Sequence, residues 1–418
     1  MKIYMVGGAV RDKLLNRPIH DRDFVVVGAD VQDMLNQGFK QVGKSFPVFL
    51  HPKTGEEYAL ARIERRLNNQ QNLHTAFEFV TRNVTLEEDL SRRDLTINAM
   101  AMDEKETIID PFHGQKDLEE GYLRHVSNAF EEDPLRLLRV ARFTARYYDL
   151  GFQVHPDTLK LMSIMTERGD LNGLTPERVW GELQKALQTK HPSVFIKVLH
   201  EVGALKVILP EVDVLYGVPQ PVEHHPEIDT GIHIELVLDQ AAYLAPGNNR
   251  VVFAALVHDL GKGLTDPKNW PKHVNHEQEG EKPVRQLSER LRVPASHLQS
   301  GVDASVHHLK AHLAFELKAT TILKMMMSMD AFRNSVRWET FIMASEADAK
   351  GRLGLHQKSY PQAQLLRDAL EVAKKVRIIP KEGEEGPKIA ARMYAERASA
   401  IKKVLKEYRR PSGLSVKI

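Results

Sequence analysis

The chain is 418 residues long, has no cysteine, and carries 58 basic against 56 acidic residues for a net charge of +2. At about 150 residues per domain, the length suggests roughly three domains, ample for hydrophobic cores. The missing cysteines exclude disulfide frameworks, thiol catalysis and cysteine-ligated zinc, and the near-zero net charge confines any nucleic-acid binding to local basic patches. The longest apolar run, residues 251–257, falls far short of the roughly 18 residues of a membrane span. The hydrophobic start, residues 1–6, is too short for a secretion signal and soon meets glycine. These features predict a globular, cytoplasmic protein with no membrane partner.

In chain order, residues 1–110 read as mixed strand and helix. Residues 2–6, 24–27 and 58–61 have the apolar, β-branched or aromatic character of short strands. Residues 67–74, rich in Asn and Gln, read as a polar loop able to move. From Pro134 onward the periodicity is helical. Residues 216–226, punctuated by Pro219, Pro221 and Pro226, read as a linker. A His-rich helical region follows to about residue 330, and the helical tail ends in Lys402, Lys403, Lys406, Arg409 and Arg410.

The first strand runs into Gly7-Gly8-Ala9-Val10-Arg11-Asp12. Paired glycines allow close backbone approach, the N-terminus of the following helix offers free N–H groups to an anion, and Arg11 lies within reach of a phosphate. Asp21-Arg22-Asp23 then leads into an apolar strand. In an extended segment residues i and i+2 share a face, so Asp21 and Asp23 would present two carboxylates together. Two such charges repel unless a cation lies between them, and Mg2+ favours one or two protein carboxylates plus phosphate oxygens. The chemistry this permits is nucleotidyl transfer. Glu57, on the third strand, is a further candidate carboxylate or an exposed strand end.

Residues 134–147 follow Asp133, a favourable N-cap, and begin with Pro134, suited to a first helical position. At about 100° per residue, Arg136, Arg139, Arg142 and Arg146 fall within roughly 120° of one another, opposite an apolar stripe. Such a stripe is either a solvated basic face or a nucleotide-reading one. Asp133 and Arg136, three apart, offer an acceptor and several donors, a set that suits the amino-bearing edges of cytosine and adenine.

Taken in order, the Gly-Gly-Ala-Val-Arg-Asp turn, Asp21-Arg22-Asp23, residues 92–99 (Arg-Arg-Asp-Leu-Thr-Ile-Asn-Ala), Glu132-Asp133-Pro134-Leu135-Arg136 and the pair Arg139 and Arg142 resemble the motif series of bacterial CCA-adding enzymes. These are tRNA nucleotidyltransferases of the DNA polymerase β superfamily. The resemblance implies catalysis by Asp21 and Asp23 with Mg2+, nucleotide contacts from Gly8, Arg11 and Arg93, and a ribose contact from Asp94. It further implies that Asp133 and Arg136 act as a side-chain template for the base, with Arg139 and Arg142 stacking on it or holding the triphosphate. The implied partners are tRNA, CTP and ATP.

His233, followed at a distance by His258-Asp259-Leu260-Gly261-Lys262, resembles the HD superfamily of metal-dependent phosphohydrolases. Neutral imidazole and carboxylate suit a divalent transition metal such as Ni2+, or Mg2+. That family closes its site with a distant Asp, for which Asp348 is the first choice and Asp303 the second. His276, His308 and His312 are either added ligands or surface histidines. The resemblance implies 2′,3′-cyclic phosphodiesterase, 2′-nucleotidase and phosphatase activities.

The expected fold is α+β, a small polymerase-β-like sheet domain followed by mostly helical neck, body, HD domain and tail. The expected domains are a head over 1–137, a neck and body over 138–222, an HD domain over 223–330 and a tail over 331–418, in a monomer or homodimer. The competing readings are a bacterial poly(A) polymerase, and an HD phosphohydrolase whose head only binds nucleotide.

Overall fold

The computed structural model describes residues 1–19, 21–42, 48–66, 77–80, 83–382 and 384–409. The loop expected over 67–74 and the basic residue Arg410 lie outside them. The first strand, β1 (Lys2–Val6), pairs antiparallel with β2 (Asp23–Val27), and its last residue, Val6, stands opposite Asp23. Further strands are β3 (Lys40–Val42), β4 (Val48–Leu50) and β5 (Glu57–Leu60), followed by a separate antiparallel pair, β6 (Ile63–Arg66) and β7 (Phe77–Val80). With β8 (Ala101–Met102) and β9 (Ile108–Ile109) the main sheet has the order β3-β4-β5-β2-β1-β8-β9. A short parallel pair, β10 (Tyr122–Leu123) and β11 (Gln153–Val154), follows.

The all-apolar character of β2 has a physical cause. Val25 packs with Val6, Ala61, Leu90 and Ala99, whereas Val26 packs with Met34, Phe49 and Leu60. Successive side chains point to opposite faces, so both faces of the central strand are covered and no alternation with polar residues survives. Each such burial contributes about 1.5–3 kcal/mol.

The sheet-then-helices expectation holds. The chain divides into two compact units, Met1–Thr175 with Glu201–Ala204, and Pro176–His200 with the chain from Leu205 onward. In the second unit the helix Asn249–Val257 is surrounded, with Val251 to Val257 all at 0% exposure. A helix apolar on every side can only be a core element, which is what its uninterrupted hydrophobic run dictates. Around it pack the helices Thr230–Leu244, Ala295–His312 and Ser335–Lys350. The helices Pro361–Lys375 and Gly386–Tyr408 share another core with Trp338, Phe341, Ile322 and Met326. Among the described residues no helix is long and apolar enough to cross a membrane.

Candidate functional site

In the first unit, β1 ends at a turn in which Gly7 has φ 67°. That conformation favours glycine, and a Cβ here would lie 2.7 Å from Arg93 Nη1, displacing the end of that side chain. Gly8 opens the helix Gly8–Leu14. Arg93 lies close to Asp89 Oδ2 and to the Asn98 carbonyl, both at 3.4 Å. Its charge also reaches Asp23. Burial raises the Asp23 carboxyl, Arg93 opposes this, and Asp21 adds to it, leaving Asp23 above the usual carboxylate range. Arg93, Asp23 and Asp21 therefore interact electrostatically near the ends of β1 and β2, beside the Gly7 turn.

Two details differ from expectation. β2 begins at Asp23, so Asp21 stands before the strand and not within it. The ladder has no partner for it, because β1 has already turned away after Val6. Arg11, expected to reach a phosphate, is 3% exposed and turned inward. It donates to Asp12 and to the Asn98 side chain, and its guanidinium lies 5.3 Å from the ring centres of Phe143 and Tyr147. Glu57 sits beside Asp23 in the parallel register of β2 and β5. The donor set of Asp21 and Asp23 is all hard oxygen with mutual repulsion, which fits Mg2+.

The helix Leu135–Tyr147 buries two of its four arginines. Arg136 and Arg142 are 8% and 7% exposed, whereas Arg139 is half-buried and Arg146 exposed, so only part of the stripe is solvated. Asp133 accepts from the Leu135 backbone N–H at 3.1 Å, as a helix-start residue should. Arg136 donates Nη1 to the Ala129 carbonyl at 2.5 Å, and the Arg142 guanidinium covers the Phe143 ring at 4.3 Å. Arg139 donates to Asp94 Oδ2 at 2.8 Å. Burial pushes the Asp94 carboxyl up, but Arg139, Asn98 and the Leu95 N–H outweigh it and hold Asp94 below the usual range. The pairing joins two motifs far apart in sequence and keeps the carboxylate ionised.

In the second unit, His233 comes from the first turn of Thr230–Leu244, which Asp229 caps through the Ile232 N–H. His258 and Asp259 stand at the C-terminal end of the buried helix, and Asp348 comes from Ser335–Lys350. All four are at most 3% exposed. His233 Nε2 lies 3.2 Å from Asp348 Oδ1 and 3.8 Å from Asp259 Oδ2, and His258 Nε2 lies 3.2 Å from Asp259 Oδ2. Burial would raise both aspartates, but the facing groups outweigh it: His258 and Lys262 at Asp259, His312 and His258 at Asp348. Both carboxyls are held well below their usual range. His258 Nε2 and Asp259 Oδ1 are buried without a hydrogen-bond partner. Inward-facing, unsatisfied imidazole and carboxylate atoms fit a divalent transition metal.

Asp303, the alternative acid, is engaged by Arg337 and stays outside this cluster. His276 and His308 are not surface residues; they are 7% and 2% exposed and face Asp259. His312 contacts Asp348 Oδ2 at 2.6 Å through Nε2 and the Tyr360 hydroxyl at 3.0 Å through Nδ1, the role of a positioning residue. The stretch over 216–226 is not a passive linker. Gln220 is buried against the Lys262 ammonium at 2.5 Å, and Pro221, His224 and His225 line a cavity of ≈ 160 Å³ with Lys262, Lys272 and Arg352. Glu227, just beyond it, was missed altogether. Its Oε1 is 2.9 Å from His233 Nδ1 and 3.1 Å from His225 Nδ1. Burial would raise it, but these contacts hold its carboxyl far below the usual range. Only its nearness to His233 in sequence could have hinted at it.

The Gly261 backbone explains how His276 arrives. A Cβ at Gly261 would fall 1.9 Å from the His276 carbonyl oxygen, so a residue without a side chain is required for the two segments to touch.

Comparison with known proteins bears on both units. A family model described as the Poly A polymerase head domain matches residues 3–124, and one described as a probable RNA and SrmB-binding site of polymerase A matches 151–215. The HD domain model matches 230–335. A Multifunctional CCA protein of Pseudomonas fluorescens (strain Pf0-1) is 53% identical over 405 residues, covering 96% of this chain and 98% of that one. One from Acinetobacter baumannii (strain AYE) is 50% identical over 403 residues, covering 96% and 97%. Among solved structures, a CCA-adding enzyme complexed with ATP has a TM-score of 0.65 at 19% identity, covering 100% of this chain and 91% of that one. The Thermotoga maritima CCA-adding enzyme complexed with tRNA has a TM-score of 0.61 at 20% identity, covering 98% and 92%. The solved structures share the fold, and the end-to-end identity with the curated relatives goes further: this chain belongs to the family of Multifunctional CCA proteins.

Proposed function

We propose that this protein adds C, C and A in turn to the 3′ end of tRNA, taking CTP and ATP, in the cytoplasm. The observation that carries the reading is the 53% identity over 405 residues to a Multifunctional CCA protein. Neighbours solved with ATP and with tRNA support these as ligands. The primer's 3′-hydroxyl attacks the α-phosphate and pyrophosphate leaves. Asp21 and Asp23 hold Mg2+, which when bound lowers the pKa of the attacking hydroxyl and offsets charge on the leaving group. The Gly7-Gly8 turn and Arg93 receive phosphates, and Asp94, kept ionised by Arg139, accepts from a ribose hydroxyl. Arg136, anchored through Nη1 by the Ala129 carbonyl, reads the base edge with Asp133 as a guanidinium of fixed orientation.

The second unit is assigned hydrolysis of phosphate esters, as a 2′,3′-cyclic phosphodiesterase, 2′-nucleotidase and phosphatase. His233, His258, Asp259 and Asp348 hold a divalent transition metal such as Ni2+, which when bound supplies a water of lowered pKa. Lys262, Lys272 and Arg352 line the cavity and attract the anionic ester.

Incorporation gels on a tRNA lacking its last three nucleotides test the first activity. CTP alone should add two residues, CTP with ATP three, and growth should then halt. Runaway growth on ATP alone would identify a poly(A) polymerase instead. Asp23→Asn should abolish C and A addition alike, and His258→Ala should remove hydrolysis of a 2′,3′-cyclic nucleotide while sparing addition.

A further inference from the structure

We propose that Asn98 is a positioning residue for sugar selection: its side-chain amide, itself held by Arg11, clamps the Asp94 carboxylate so that one oxygen is saturated and the other alone receives a ribose hydroxyl. The inference rests on the reading of Asp94 as the ribose acceptor and adds the group that aims it.

Asn98 closes the short turn Thr96–Asn98 and is 6% exposed. Residues from both ends of the head's motif series meet on it. Its Oδ1 accepts from Arg11 Nη1, and its Nδ2 donates to Asp94 Oδ1 at 2.9 Å. Its backbone carbonyl lies 3.4 Å from Arg93 Nη1, and a Cβ on Gly7 would stand 3.7 Å from the same oxygen. The Gly7 turn, Arg11, Arg93 and Asp94 are thus all in contact with, or packed beside, one buried residue.

The amide has a single workable orientation. A guanidinium offers only donors, and an ionised carboxylate only acceptors. Turned over, the amide would set its NH2 against Arg11 and its oxygen against Asp94, losing both bonds. Arg11 is fixed in turn. Its Nε donates to Asp12 Oδ1 at 2.9 Å, and its guanidinium is enclosed by Phe143 and Tyr147.

Hydrogen-bond counting at Asp94 identifies the oxygen that reads the sugar. Each oxygen of an ionised carboxylate accepts about two hydrogen bonds. Oδ1 takes two, from the Leu95 N–H and from Asn98 Nδ2, both at 2.9 Å. Oδ2 takes Arg139 Nε at 2.8 Å and, among the described residues, no second donor. The Asp94 side chain keeps 8% exposure, so it is enclosed but not sealed. The remaining lone pair of Oδ2 is therefore the one a ribose hydroxyl meets. Without Asn98 Nδ2, Oδ1 would retain the Leu95 N–H alone, and the carboxylate would no longer be held in one plane. An analogue that lacks the hydroxyl has nothing to lose from that change, whereas CTP and ATP do.

Steady-state kinetics of the full chain test this, with CTP on a tRNA lacking its last three nucleotides and ATP on one lacking only the last. Asn98→Asp is nearly isosteric. It keeps the acceptor for Arg11 and replaces the donor to Asp94 by a second carboxylate. We expect KM for CTP and for ATP to rise roughly tenfold or more, with kcat changed by less than about threefold. Inhibition of CTP addition by 2′-deoxy-CTP and 3′-deoxy-CTP identifies the hydroxyl that Asp94 takes. The analogue lacking it should bind weakly to the parent, and its Ki should stay within about twofold in the variant. Asn98→Ala, which introduces no charge, carries the same expectations and serves if Asn98→Asp does not fold; hydrolysis of a 2′,3′-cyclic nucleotide by the second unit and the urea midpoint report folding. Added to Asp94→Ala, either change should cause no further loss of preference for CTP. Unchanged KM values, equal weakening of CTP and both analogues, or additive losses in the double variant would overturn the proposal. Preference lost in Asp94→Ala but intact in both Asn98 variants would refute the role of Asn98 alone. Preference intact in Asp94→Ala would refute the ribose reading itself, and the proposal with it.

Discussion

One methyl group, added at Gly261, tests how the second unit builds its site. The new Cβ would lie 1.9 Å from the His276 carbonyl oxygen, 2.7 Å from the Gly280 nitrogen and 2.9 Å from the His276 carbonyl carbon. Non-bonded contacts settle near about 3.5 Å, so the His276 backbone has to retreat by more than about 1 Å. The obstacle is main chain, and no rotamer change relieves it. Overpacking of this kind costs about 1–3 kcal/mol. The retreat also carries away His276 Nε2, now 3.3 Å from Oδ1 of the ligand Asp259, and ligand distances tolerate only about ±0.2 Å. Gly261→Ala should therefore lower unfolding free energy by about 1–3 kcal/mol in urea, with unchanged slope. It should also slow cyclic-phosphate hydrolysis by roughly tenfold or more, as loss of supporting contacts does at other metal sites. C and A addition should be unaffected. Gly181, inside the helix Pro176–Ala186 with nothing within 4 Å of its Cβ position, is the matched control. There the same change should stabilise by up to about 1 kcal/mol. If Gly261→Ala matched that control in stability and hydrolysis, the contact with His276 would not be what positions the site.

Asp94→Ala removes the Arg139 ion pair together with the acceptor for Asn98 Nδ2 and the Leu95 N–H. It should cost about 1–3 kcal/mol and raise KM for both CTP and ATP; unchanged KM values would sink the ribose role. Acidification should weaken the second unit through His297, whose imidazole burial, aided by the Arg250 charge, pulls down to about 4. The unfolded chain takes up this proton below about 6.5 while the native chain does not until about 4, so stability falls as pH drops through that window. Between pH 7 and pH 5 the loss from this group is about 1–2 kcal/mol, and urea titrations of His297→Gln should show a correspondingly flatter profile. An equal slope in both proteins would refute the assignment.

What could be read in the sequence was what short-range pattern encodes. Strand β1, the Gly7-Gly8 turn, the helix from Leu135 and the His258-Asp259 dyad at the end of a buried helix all declare themselves within one or two turns of chain. What stayed hidden depends on which segments meet. The periodicity of Arg136, Arg139, Arg142 and Arg146 marks a polar face but cannot say whether solvent or protein lies against it. Arg11 turns inward because Asn98, Phe143 and Tyr147 arrive from far along the chain. Proline-rich composition suggests a linker over 216–226, yet Gln220 and His225 are buried beside the metal-site residues. His276 and His308 lie on different helices, and no spacing rule connects them.

The pairing of Val6 with Asp23 leaves its own consequence. Everything between these two residues is an excursion that leaves and rejoins the sheet at one rung. Lengthening or trimming its outer part leaves the rung in place, whereas a slip of one rung within 24–26 turns the carboxylate to the opposite face. Tolerance to insertion should thus be greatest in the exposed outer part of the excursion and vanish within the ladder from residue 23.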